Sequence, residues 1–98
     1  MSLADDLIRE GWLKTERAIE AFKNIDRADF MPKNMKKLAE VNQALPIGFD
    51  QTISQPLVVA FMIEKLKVSK GDNVLDVGSG SGWTTALLSY LVGEKGKV

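Results

Sequence analysis

Apolar residues recur along this chain at helical spacing in several stretches, and the breaks between them fall on glycine, proline and polar clusters. Residues 4–13 alternate apolar and charged positions. Leu7, Ile8 and Trp12 fall on one side of the helix this predicts, which Gly11 weakens. Thr15 suits the N-cap of a second helix running to about residue 24, with Ala18, Ile19, Phe22 and Ile25 as its buried stripe. The pattern stops at residues 25–32, where Pro32 disfavours helix at Met31. A short, weakly apolar helix is predicted over residues 34–40. Residues 44–55, punctuated by Pro46 and Gly48, read as an ordered loop.

Ser54 suits the N-cap of the next helix, over residues 55–67, because Pro56 then sits in the first turn, where its missing N–H costs little. This helix is apolar almost all round in its first two turns, the pattern of a buried helix. Phe61 and Met62, like Trp12 and Phe22, are therefore expected in the core. Residues 69–72 form a turn. Residues 73–77 are the clearest strand, followed by Gly78-Ser79-Gly80-Ser81-Gly82 and a helix over residues 83–92 that Gly93 stops. Residues 96–98 read as the approach to a second strand. The expected fold class is α/β: a helical segment over about residues 1–68, then the start of a Rossmann-like sheet over residues 69–98.

Composition narrows the chemistry. The chain has 98 residues, enough for one domain at most. Its formal net charge is zero, so no electrostatic signal points to nucleic acid or to an acidic membrane. The longest apolar run, residues 57–63, is too short to span a bilayer. Asp5, Asp6, Arg9 and Glu10 stand where a signal peptide would be basic and then apolar, so a cytoplasmic address is expected. Lys33, Lys36 and Lys37 read as a solvated basic face. The chain has no cysteine and no histidine, which excludes disulfides, a thiol nucleophile, Ser-His catalysis and histidine metal sites.

The glycine loop is the richest motif. Strand, glycine-rich turn and helix open a Rossmann-like unit, in which glycines let a ligand approach the backbone and the helix N-terminus offers free N–H groups to an anion. A dinucleotide fingerprint is G-x-G-x-x-G, which needs glycine at position 83, and Trp83 stands there. A nicotinamide-dependent oxidoreductase is accordingly disfavoured. Asp76, two residues before Gly78, adds a carboxylate suited to a ligand ammonium group, so a ligand with an amino-acid end fits better than a pyrophosphate. Trp83 itself reads either as a ligand contact or as packing.

Val74-Leu75-Asp76-Val77-Gly78-Ser79-Gly80-Ser81-Gly82 resembles motif I of class I methyltransferases, whose loop borders the methionine part of S-adenosylmethionine. Leu45-Pro46-Ile47-Gly48-Phe49-Asp50-Gln51-Thr52-Ile53-Ser54-Gln55-Pro56 resembles the signature of the protein-L-isoaspartate O-methyltransferases, and Arg27-Ala28-Asp29-Phe30-Met31-Pro32 is similar to that family's R-x-x-F-V-P stretch. Two departures stand out. Family members often have glycine at the position of Asp50, and often carry Tyr-x-Asp where this chain has Glu40-Val41-Asn42.

The resemblance implies a Rossmann-like methyltransferase domain, of which these residues are the N-terminal part. It implies methyl transfer from S-adenosylmethionine to the free carboxylate of isoaspartyl residues in damaged peptides and proteins. Ser54 would stand at the reacting centre. Thr52, Ile53, Asp76, Gly78, Ser79, Gly80, Ser81 and Gly82 would border the donor. Read without the family, Ser54 is equally a helix cap. The acidic residue expected to bind ribose after the second strand has no counterpart here, so the chain by itself is expected to form an incomplete site and to expose a sheet edge capable of self-association. Two alternatives remain: a methyltransferase for another substrate such as transfer RNA, and a non-catalytic module for binding or dimerisation.

Overall fold

The computed structural model describes residues 2–98. Four α-helices carry the fold: α1 (Leu3–Arg9), α2 (Glu16–Asn24), α3 (Pro56–Leu66) and α4 (Trp83–Val92), with a small hairpin of β1 (Leu45–Gly48) and β2 (Gln51–Ile53) between α2 and α3. Helix α1 begins in a capping box. The Asp5 N–H donates to Ser2 Oγ at 3.1 Å, and the Ser2 N–H donates back to Asp5. It stops at Arg9, earlier than the periodicity predicts, because Gly11 takes a left-handed φ of 83° and turns the chain back. The N–H groups of Trp12 and Leu13 then both donate to the Leu7 carbonyl, which seats Leu13 in the core. Thr15 caps α2 as predicted, accepting from the Ala18 N–H. Glu64 of α3 accepts from the N–H groups of Lys14 and Thr15 at 2.6 and 2.8 Å, tying the start of α2 to α3.

Helix α2 packs against α1, α3 and α4. The contact with α4 centres on Phe22 and Trp83, stacked edge to face at 5.7 Å between ring centroids. Leu7, Leu13, Pro56, Leu87 and Val92 are the largest fully buried side chains among the described residues.

Several elements differ from the sequence pattern. The segment read as a loop is an antiparallel hairpin: Leu45 faces Ile53, Pro46 faces Thr52 and Gly48 faces Gln51, with an irregularity between Pro46 and Gly48. Its two-residue turn places Phe49 and Asp50 at φ 56° and 57°, the geometry of a type I′ turn, which matches strand twist but suits Asn-Gly better. The predicted helix over residues 34–40 is a 3-10 helix, Lys33–Leu38. Helix α3 is not buried all round. Val59, Ala60 and Ile63 face the core, whereas Phe61 and Met62 lie on the surface with Val58 and Leu66. Trp12 covers part of Phe61, their rings 6.2 Å apart.

Residues 73–77 form no ladder, and Val77 already belongs to the turn that opens the glycine loop. A single parallel bridge joins Asn73 to Lys97, with the Val74 N–H donating to the Lys97 carbonyl at 2.8 Å and the Lys97 N–H to the Asp72 carbonyl at 3.0 Å. A parallel strand is stable when neighbours pair along it and both faces are covered. Here Leu75 and Val77 are 85% and 84% exposed.

Candidate functional site

The N-terminus of α3 organises one side of the site. Ser54 does not cap it: the N-cap is Gln55, without a side-chain cap. Instead Asn42, from the segment before the hairpin, accepts from the Leu57 N–H at 2.9 Å, and Gln55 Nε2 donates to the Asn42 carbonyl at 3.2 Å. Pro56 needs no partner, so Asn42 supplies from outside the helix the acceptor for the first N–H of α3. The Ser54 side chain is thereby left exposed, with its hydroxyl unbonded among the described residues.

The glycine loop forms the other side. Gly78, Gly80 and Gly82 all have positive φ, from 57° to 97°, which a residue with a Cβ rarely adopts. Gly82 is the N-cap of α4 and makes no side-chain cap, so the first N–H groups of that helix face out of the loop without intrahelical partners. Asp76 precedes the loop, its carboxylate held by Thr85 Oγ1 at 2.6 Å.

These two sides meet. Thr52, Ile53 and Ser54 line one small cleft of about 40 Å³ together with Gly78, Ser79, Gly80 and Ser81. Asp76 lies in an adjoining cavity of about 400 Å³, shared with Ser54, Gly78, Thr84 and apolar residues of α3. Gly82 lines neither; a Cβ there would meet the Phe30 ring at 3.8 Å. Trp83 touches the cleft but is 2% exposed, and its ring is spent on packing against Phe22. Beyond the loop, Gln51, Phe49 and Phe30 line an open groove of about 390 Å³ with Gly80 and Ser81.

Behind the cleft lies a residue that the sequence offers only as the first position of the R-x-x-F-V-P-like stretch, with no role attached. Arg27 is 4% exposed, and its guanidinium donates to four main-chain carbonyls: Ala39 at 3.2 Å, Val41 at 2.9 Å, Gln43 at 2.7 Å and Ser54 at 2.9 Å. The same group lies over the Trp83 ring, 5.2 Å from its centroid. Burial lowers the pKa of Arg27 from its ordinary value, and the charge of Glu40 opposes this; the side chain stays cationic, as arginines in proteins do. Arg27 Nε and Trp83 Nε1 are buried and have no hydrogen-bond partner among the described residues. No group of side chains suited to a metal ion occurs among the described residues, and none of the helices described is long and apolar enough to cross a membrane.

A segment bridged in parallel at Asn73, a glycine loop of positive φ and a helix with an uncapped N-terminus define the ligand-binding end of a Rossmann-like α/β protein. The chain belongs to the protein-L-isoaspartate(D-aspartate) O-methyltransferase (PCMT) family, whose model matches residues 1–98. Among its relatives, a protein-L-isoaspartate O-methyltransferase of Methanococcus maripaludis is 42% identical over 98 residues, covering all of this chain and 46% of the relative. One from Myxococcus xanthus is 48% identical over 91 residues, 93% of this chain and 42% of the relative. A solved protein-L-isoaspartate O-methyltransferase superposes with a TM-score of 0.84 at 31% identity, over 96% of this chain and 31% of that one. A Plasmodium falciparum structure named for the same family, solved with S-adenosyl-L-homocysteine, gives a TM-score of 0.77 at 25% identity, over 88% and 38%. The chain thus spans under half the length of these curated relatives and has the fold of one portion of a class I methyltransferase.

Proposed function

We propose that this chain provides the methyl-donor side and part of the acceptor side of an S-adenosylmethionine-dependent methyltransferase. The acceptor is the free carboxylate of isoaspartyl residues in peptides and proteins. The observation that carries this reading is the meeting of Thr52, Ile53 and Ser54 with Gly78, Ser79, Gly80 and Ser81 in one cleft. The residues fit the donor. The uncapped N-terminus of α4 suits a carboxylate, and Asp76, oriented by Thr85, suits an ammonium group. When bound, the donor supplies an electrophilic methyl group on a sulfonium.

What the chain adds is placement. An α-carboxylate has an ordinary pKa of about 3.5 and is ionised at neutral pH, so the nucleophile needs no general base. This suits a chain without histidine. Ser54 Oγ, free of any capping duty, is available to donate to one carboxylate oxygen while the other attacks the methyl carbon. Holding the two reactants in line is worth up to roughly 7–11 kcal/mol. In the wider reading, residues 1–68 form the substrate side and residues 69–98 the donor side, Gly82 shapes the loop from behind, and the protein is cytoplasmic.

The test is titration of S-adenosylhomocysteine into the protein extended to the length of its relatives, since these 98 residues alone are expected to form an incomplete site, followed by methyl transfer to an isoaspartyl peptide and to its aspartyl isomer. Micromolar binding that Gly80→Val abolishes, with transfer to the isoaspartyl peptide alone, is the expected result. Absence of binding overturns the donor site; transfer to the aspartyl isomer, or to transfer RNA instead, overturns the acceptor. A second reading is favoured by the exposure of Leu75 and Val77 on a segment that, among the described residues, is bridged only at Asn73: association through this edge, read by sedimentation velocity.

A further inference from the structure

We propose that Arg27 is the positioning residue of this cleft, holding Ser54 against the glycine loop by clamping the Ser54 carbonyl and bracing Trp83 at once. The inference rests on the proposed methyl transfer and adds a residue to it. Each terminal nitrogen of Arg27 makes two hydrogen bonds, so one planar group joins the segment 39–43, the end of β2 and the start of α4. These are the three pieces that set the cleft. Residues 39–43 include Asn42, which caps α3; Ser54 carries the free hydroxyl; Trp83 follows the last glycine of the loop.

The geometry is specific to arginine. A guanidinium presents its donors in a fixed plane, so the four carbonyls cannot shift independently. A lysine in its place keeps the charge but gathers three donors on one atom. It can satisfy the carbonyls of residues 39–43 or that of Ser54, and it loses the flat contact with Trp83. The fold has other ties, Glu64 to Lys14 and Thr15 among them, that stabilise without touching the cleft. Stability and positioning are therefore separable by experiment.

The experiment compares wild type, Arg27→Lys and Glu64→Gln in the protein extended to the length of its relatives. It measures S-adenosylhomocysteine affinity, kcat and KM for the isoaspartyl peptide, and the carbonyl chemical shift of Ser54 by nuclear magnetic resonance, all corrected for folded fraction. Arg27→Lys is expected to move the Ser54 carbonyl shift and to lower kcat about 10- to 100-fold, with peptide KM and donor affinity changed less than about threefold. Glu64→Gln is expected to lower the unfolding midpoint and leave all four readings in place. If wild type transfers methyl and Arg27→Lys matches it per folded molecule, the positioning role is wrong and the proposed function stands. If wild type neither binds the donor product nor transfers methyl, the proposed function fails and this inference falls with it.

Discussion

Asn42 Oδ1 accepts the backbone N–H of Leu57 at 2.9 Å, so the first turn of α3 is capped by a residue that lies before the hairpin. The consequence is chemical as well as structural, since Ser54 is released from the cap that its position two residues before Pro56 suggests. It also gives the Glu40-Val41-Asn42 departure from the family pattern a meaning: the last position of that triplet needs a side-chain acceptor, and asparagine supplies one. Asn42→Ala should therefore cost about 1 kcal/mol of stability. Asn42→Asp should restore it, helped by a negative charge at a helix N-terminus. Urea unfolding monitored by circular dichroism distinguishes the two, and equal losses in both variants would refute the capping role.

The hairpin turn bears on the second departure. Asp50 has a φ of 57°, a conformation that asparagine, aspartate and above all glycine tolerate. Asp50→Gly should raise stability by up to about 1 kcal/mol, the relief of left-handed strain outweighing the added freedom of the unfolded chain. Asp50→Ala should lower it. Both changes leave the cleft residues untouched, so denaturant midpoints alone decide the matter.

What the sequence made legible was local. Thr15 at the start of α2, the limits of α4 and the glycine loop depend on residues next to one another, and each was readable from spacing. The hairpin was hidden because Pro46 and Gly48 punctuate a short run and because Phe49-Asp50 lacks the usual turn chemistry. The cap on α3 was hidden because its acceptor comes from Asn42, far along the chain. Arg27 was legible as the first position of the R-x-x-F-V-P-like stretch, but its contacts were not, because the carbonyls gathered round it come from Ala39, Val41, Gln43 and Ser54. The segment 73–77 was read as a strand and α3 as buried because their apolar residues presume neighbours, and Leu75, Val77 and Met62 stand largely exposed.

Gly96 tests the parallel bridge between Asn73 and Lys97. A Cβ built there would stand 2.3 Å from Val92 Cβ and 2.7 Å from the carbonyls of Asp72 and Val92, so something must move. The Asp72 carbonyl is the one that accepts from Lys97, and the Val92 carbonyl accepts from Gly71. Gly96→Ala should cost about 1–3 kcal/mol, as overpacking does. Hydrogen exchange of the Val74 and Lys97 amides should accelerate before that of α2, and uniform acceleration would show instead that the bridge unfolds only with the whole chain.

Acid should loosen α1 first. The side-chain and then the backbone hydrogen bonds of Ser2 hold the Asp5 carboxyl below its ordinary value of 3.8, with a smaller contribution from Lys23. The unfolded carboxyl takes up its proton at higher pH than the folded one, so the stabilisation is complete above the unfolded value and is lost as pH falls through the folded one. Amide exchange in α1 should therefore rise below about pH 4. Asp5→Asn should remove that dependence, and a rise that survives the substitution would place the acid sensitivity elsewhere.

Thr85 offers a test of the donor side that leaves the loop itself intact. Its hydroxyl donates to Asp76 Oδ2 at 2.6 Å, fixing the carboxylate that adjoins the cavity of about 400 Å³. Valine has nearly the shape of threonine and no donor, so Thr85→Val should leave α4 in place while freeing Asp76 to rotate. A hydrogen bond to a charged group contributes about 1.5–3 kcal/mol, and loss of its lower end corresponds to about a tenfold fall in affinity for S-adenosylhomocysteine. Thr85→Ser retains the hydroxyl and should bind as wild type does. Calorimetric titration of the three proteins gives the answer: if valine and serine bind alike, Asp76 is held by something other than this bond, and its place opposite a ligand ammonium group must be reconsidered.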